Sequence, residues 1–132
     1  MPNFEERKVR NHIDEKDTLL GIVESEIDIP FVPTRFFYVN GSSNNYARGN
    51  HAHKTCWQAI FVIQGSVEIT IIESKQKITN HLILQPNNLV IIPPLHWISY
   101  RLLQKFTIIG VLASENYEES EYIKDYKEFL KY

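Results

Sequence analysis

The chemistry of this chain is concentrated in Arg48-Gly49-Asn50-His51-Ala52-His53-Lys54. Residues two apart in an extended strand share a face, so His51 and His53 present their rings together. Two imidazoles so placed have three uses: binding a metal, working as an acid and base, or sitting satisfied in a polar core. A metal needs further ligands. The natural third position, five residues beyond His53, holds Gln58, a neutral and weak ligand where a carboxylate is expected. A fourth is available from His96 in Pro93-Pro94-Leu95-His96-Trp97. The metal site is therefore underfurnished, and proton transfer suits the pair better. An imidazole with a pKa near ~6.5 takes and returns a proton around neutrality.

The neighbouring polar residues fit an anionic ligand. Arg48 and Lys54 flank the histidines and Arg35 lies upstream. Arginine grips phosphate bidentately and lysine acts as a point charge. Taken singly, each also reads as an ordinary solvated cation. Tyr38 and Tyr46 offer a stacking face or a hydroxyl, or plain packing, and Trp97 is a core aromatic or a ligand contact. His12 and His81 read as surface residues. Cys56 reads as a buried thiol, and as the sole cysteine it excludes an internal disulfide. There is no phosphate-binding Gly-rich loop, nucleophile elbow or dinucleotide fingerprint.

These residues must be positioned by strands. Thr18–Ser25, Thr34–Val39, Gln58–Ile63, Ser66–Glu73, Gln76–Leu84, Leu89–Ile92 and Phe106–Ala113 read as strands, with a tight turn at Gln64-Gly65. In Ser66–Glu73, Val67, Ile69 and Ile71 alternate with Glu68, Thr70 and Ile72, the pattern of a half-buried strand. Many short strands separated by turns predict a sandwich or barrel. Towards the end, Tyr122, Ile123, Tyr126, Phe129 and Leu130 fall at helical spacing, and Asn116 with Glu119 resembles a capping pair. A C-terminal helix packed across an all-β barrel is expected.

The chain has 132 residues, 43% of them hydrophobic and 12% aromatic, which predicts one folded domain spanning 1–132. A net charge of −2 gives no basic face for nucleic acid. No apolar run reaches membrane-span length, and the opening Met-Pro-Asn-Phe-Glu-Glu-Arg lacks a signal-peptide core. A soluble cytoplasmic protein, binding neither membrane nor nucleic acid, is the expectation.

In this order the motifs resemble the nucleotide-sugar 3,4-ketoisomerases, small RmlC-like cupins of the WxcM-like group that act on dTDP-4-keto-6-deoxyglucose. The resemblance runs from about Leu19 to Phe129. It is carried by Asp28-Ile29-Pro30-Phe31, Arg35-Phe36-Phe37-Tyr38, the seven residues from Arg48 to Lys54, Gln58, Gly65-Ser66, Ile92-Pro93-Pro94 and Trp97. Leu112-Ala113-Ser114, Tyr117 and Tyr122-Ile123-Lys124-Asp125-Tyr126-Lys127-Glu128-Phe129 complete it. The resemblance implies a cupin β-barrel, a jelly roll, in a homodimer that exchanges N-terminal strands. It implies a dTDP-linked 4-keto-6-deoxy sugar as substrate, no metal or other cofactor, and a product that feeds 3-amino-3,6-dideoxyhexoses of surface polysaccharides such as O-antigen lipopolysaccharide.

By the same resemblance His51 is the base on carbon and His53 manages the oxygen protons, although spacing alone leaves the two roles interchangeable. Tyr38 and Gln58 would contact the sugar, and Arg48 with Arg35 or Lys54 the diphosphate. Residues near the start and near His96 would set the C4 configuration, with His96 favouring the galacto product. Two departures stand out: Asn50 replaces the second of two glycines often found before His-Ala-His, and Glu15 to Leu20 lacks an Arg-Gly pair. The alternatives are a nucleotide-sugar 3,5-epimerase, a non-catalytic sugar-binding cupin and, against Gln58, a metal-dependent oxygenase.

Overall fold

The computed structural model describes residues 3–132. Two five-stranded antiparallel sheets enclose the core. One runs in the order β1 (Glu5–Lys8), β9 (Asn88–Ile92), β6 (Gln58–Gln64), β11 (Thr107–Ala113) and β4 (Arg35–Gly41). The other runs β12 (Tyr122–Ile123), β5 (Arg48–His53), β10 (His96–Leu102), β7 (Val67–Glu73) and β8 (Thr79–Leu84). Among the described residues β2 (Arg10–Ile13) and β3 (Leu19–Ile22) pair only with each other. This is the jelly-roll barrel of a cupin, as expected.

Alternation builds the barrel. Val67, Ile69 and Ile71 of β7 are fully buried and meet Ile60, Val62, Ile109 and Val111 from the facing sheet. The Gln64-Gly65 turn joins β6 to β7 as the sequence predicts. Gly65 has φ +84°, and a Cβ there would lie 2.9 Å from Thr107 Cα. Only glycine meets both conditions. Arg10 ties the N-terminal ribbon to the turn before β4 through two 2.8 Å bonds to the Asp28 carboxylate.

The C-terminal helix is much shorter than expected. Only Tyr126–Phe129 forms α-helix, capped by the Asp125 side chain, which accepts from the Lys127 N–H. Glu119–Glu121 is a 3₁₀ turn without a side-chain cap, so the expected Asn116–Glu119 capping pair does not form. Tyr122 and Ile123 are extended and pair with His53 and Ala52 of β5. The helical spacing arose because Ile123 and Phe129 pack on one cluster with Ala52 and Trp97, reached from a strand and a helical turn rather than from one helix.

Candidate active site

β5 carries the histidines into the barrel by an irregular entry. Gly49 and Asn50 both have positive φ, +80° and +56°, and the pairing with β10 shifts register between Ile98 and Ser99. A Cβ on Gly49 would lie 3.2 Å from the Ile98 carbonyl oxygen. Glycine suits position 49 for this reason, and Asn50 is an acceptable second residue. Asparagine tolerates the left-handed region better than other non-glycine residues, and here its side-chain amide donates to the Ala47 carbonyl at 3.0 Å.

Beyond this kink His51 and His53 share a face, their ring centroids 5.1 Å apart and nearly perpendicular. His51 lines a cavity of about 170 Å³ between the sheets, with Phe37, Gln58, Tyr100 and Tyr122 supplying most of its polar and aromatic wall. Tyr122, brought in by β12, lies over both imidazoles, 5.2 Å from His51 and 4.4 Å from His53. Its phenolic oxygen accepts both terminal N–H groups of Arg35 at 3.4 Å, and that guanidinium also lies against the rings of Phe37 and Tyr117.

His53 is almost fully buried. Its Nδ1 is 2.6 Å from Glu121 Oε1, and the other carboxylate oxygen accepts the backbone N–H groups of Thr55 and Cys56. His53 Nε2 is buried without a hydrogen-bond partner among the described residues. His53, Cys56 and Glu121 bring three potential metal-ligating atoms within 4.8 Å of one another. Of these, the Glu121 carboxylate is bonded to His53 Nδ1 and to the Thr55 and Cys56 N–H groups, and the Cys56 thiol, buried as the sequence suggests, donates to the Trp57 carbonyl.

The remaining expected residues divide by the side of the strand they occupy. Gln58 is buried in the cavity wall. Arg48 is exposed, pairs across from Tyr100 and lies against Tyr46. Lys54 instead donates its ammonium to the Ser120 carbonyl at 2.9 Å. Two of the expected residues lie outside this cavity wall. Tyr38 is 65% exposed on the outer face of β4, and its neighbour Phe37 is the one turned inwards. Trp97 points away from the cavity into the cluster with Tyr126 and Phe129. Both follow from the period of two along a strand. His96 is buried, its Nδ1 donating to the Pro94 carbonyl and its Nε2 3.1 Å from Asn3 Oδ1, and it does not line this cavity.

Burial holds all three inner histidines below the ordinary imidazole value of 6.5, against the opposing pull of the Gly49 carbonyl on His51, the Glu121 carboxylate on His53 and the Pro94 carbonyl on His96. The fold therefore keeps them neutral at pH 7. The unfolded chain protonates them near ~6.5. Below that pH the unfolded state binds more protons than the native state, so stability falls. Thermal unfolding should give a steady Tm above pH 7 and a decline as pH drops through 6.5, with at most about 1.4 kcal/mol per pH unit from each ring. A Tm unchanged from pH 7 to 5 would contradict neutral buried histidines. Asp28 acts lower: the Arg10 guanidinium holds its carboxyl at about 2, so its contribution is complete above 3.8 and disappears as pH falls through about 2.

A cupin barrel that sets a neutral imidazole, an amide and a phenol around a small cavity, with a second neutral imidazole beside it, presents groups able to exchange protons with a polar substrate. The chain belongs to the family described as "FdtA: WxcM-like, C-terminal", whose model matches residues 3–132. It is 31% identical over 130 residues to a TDP-4-oxo-6-deoxy-alpha-D-glucose-3,4-oxoisomerase of Aneurinibacillus thermoaerophilus, covering 96% of this chain and 92% of that one. A 3,4-ketoisomerase from Helicobacter canadensis has a similar structure, with a TM-score of 0.89 and 31% identity over 97% of this chain and 95% of that one. The sugar 3,4-ketoisomerase QdtA of Thermoanaerobacterium thermosaccharolyticum, solved in complex with TDP, also has a TM-score of 0.89, at 29% identity over 98% and 93%. No described helix is long and apolar enough to cross a membrane.

Proposed function

We propose that this protein is a sugar-nucleotide 3,4-ketoisomerase converting dTDP-4-keto-6-deoxyglucose into the 3-keto isomer. The observation that carries this reading is the pair of neutral imidazoles on one face of β5, His51 in the cavity wall and His53 beside it. The C4 ketone acidifies the C3–H bond. His51 removes that proton, leaving an enediolate, and a proton returns to carbon at C4. Between these steps the C3 hydroxyl loses its proton and the C4 oxygen gains one, a transfer assigned to His53. One carbon is oxidised as its neighbour is reduced, so no external oxidant is required.

Gln58 and Tyr122 are the polar groups placed to hold the sugar oxygens. Arg48, exposed beside the β5 kink, is the better-placed cation for the diphosphate, since Lys54 is tied to Ser120. Binding the distant diphosphate would help hold the sugar in a reactive pose. Oxygen-proton management by His53 and a galacto product belong to the same proposal, as does supply, in the cytoplasm, of 3-amino-3,6-dideoxyhexoses for surface polysaccharides.

A homodimer exchanging N-terminal strands is also proposed. Among the described residues the β2–β3 ribbon has no partner strand besides itself, and it leaves Ile13, Leu19 and Leu20 exposed. The outer face of the first sheet exposes Phe36, Tyr38 and Ile63. Light scattering that returned a monomer at micromolar concentration would remove this part of the reading.

The deciding experiment is an NMR time course with dTDP-4-keto-6-deoxyglucose in the presence of EDTA. Transfer of the ketone to C3 is the expected result, and the H4 couplings would report the C4 configuration. A product that retains its C4 ketone would indicate a 3,5-epimerase. Binding without conversion would indicate a non-catalytic cupin.

A further inference from the structure

We infer that Glu121 is a positioning residue that fixes the tautomer of His53, holding the proton on Nδ1 and leaving Nε2 as the one ring nitrogen free to exchange protons. The catalytic meaning rests on the reading above; the tautomer itself does not.

The inference follows from the hydrogen bonds around the carboxylate. Glu121 Oε2 accepts the N–H groups of Thr55 and Cys56 at 3.1 and 3.0 Å. Those two donors orient the carboxylate, leaving Oε1 facing His53 Nδ1 at 2.6 Å, with the side chains only 5% and 10% exposed. An ionised carboxylate accepts and cannot donate. Although burial pushes its pKa upwards, the donors from His53, Cys56 and Thr55 outweigh that and hold Glu121 below the usual carboxylate value. The hydrogen in the short contact must therefore come from Nδ1. A neutral ring has a single N–H, so Nε2 carries a lone pair. That nitrogen is buried and has no other partner among the described residues.

This pattern suits a group that moves a proton between neighbouring oxygens. Nε2 takes the proton from one hydroxyl and returns it to the other. During the transfer the ring is an imidazolium, and the adjacent carboxylate offsets a charge that a buried site would otherwise resist. His51 lacks such a partner, so the two rings are chemically distinct despite their common strand and face.

The test is Glu121→Gln. Two backbone N–H groups require an oxygen, so the carboxamide must turn its Oε1 towards Thr55 and Cys56. Its NH₂ then faces His53 Nδ1 and donates to it, moving the ring hydrogen to Nε2. In the wild type, ¹⁵N NMR should report a protonated Nδ1 and a bare Nε2 for His53 between pH 7 and 8. In Glu121→Gln the assignment should reverse, kcat should fall by about 10²-fold, and KM should stay within about threefold, since a lost proton-transfer role lowers kcat rather than substrate binding. A wild-type His53 protonated on Nε2 overturns the inference even if the variant does not fold. A folded variant with unchanged tautomer and kcat overturns it as well. If the tautomers behave as stated but neither protein converts dTDP-4-keto-6-deoxyglucose, the role of Glu121 in orienting His53 stands and the proposed reaction fails.

Discussion

Replacing His51→Asn is expected to lower turnover by about 10³-fold, within the range contributed by a positioned acid–base group, while leaving the fold intact. His51 lines the cavity, and the described structure gives its ring no side-chain hydrogen bond whose loss would weaken the barrel. Asparagine is polar, smaller and without a titratable nitrogen, so it removes the base and preserves a site compatible with the β5 backbone. Circular dichroism and Tm should match the wild type, and substrate should still bind. A variant with normal turnover would overturn the assignment of His51 as the carbon base. A variant that lost turnover only because it unfolded would show the loss in the same melting curve.

Phe129→Ala is expected to destabilise the protein by about 3–5 kcal/mol, as for other fully buried aromatic side chains. Phe129 is 0% exposed on a single helical turn and packs on Trp97, Ile123 and Ala52. An isolated turn of this length has no stability of its own, so its order comes from that packing. Ala52 lies between His51 and His53 on the opposite face of β5, and the cluster therefore supports the strand that carries the paired histidines. Urea unfolding should show a lower midpoint with an unchanged slope. A loss below about 1 kcal/mol would mean that the C-terminal turn is peripheral to the barrel.

The barrel is legible in the sequence because each strand's burial follows a period of two and each turn has its own chemistry. β7 and the Gly65 turn show both. The paired histidines are legible for the same reason. Tyr38 and Trp97 are harder, because alternation says that neighbours face opposite ways without saying which face holds the cavity; Phe37 and Ile98 occupy it instead. Glu121 and Tyr122 escape a local reading because their partners lie far away in the chain. Helical spacing drew Tyr122 into a helix, whereas its place is fixed by pairing with His53. A signal was available in the three-residue interval from Tyr122 to Asp125. Asp125 is a strong N-cap residue, and it places Tyr122 before the helix rather than within it.

The strap from Ser114 to Ile123 also bears on how the protein reaches its working form. Glu121 reaches back 68 residues to His53, and Lys54 and Cys56 are held by the same short segment. On a ribosome, β5 is synthesised long before the residues that orient its histidine. A growing chain can assemble much of the barrel from earlier strands, yet it carries His53 with no carboxylate beside it. Once β11 has paired with β6, with Ala113 opposite Gln58, only the short strap remains to dock. Competence for proton transfer thus arrives with the final strand, and a barrel released before Glu121 has docked would contain the histidines without their finished chemistry.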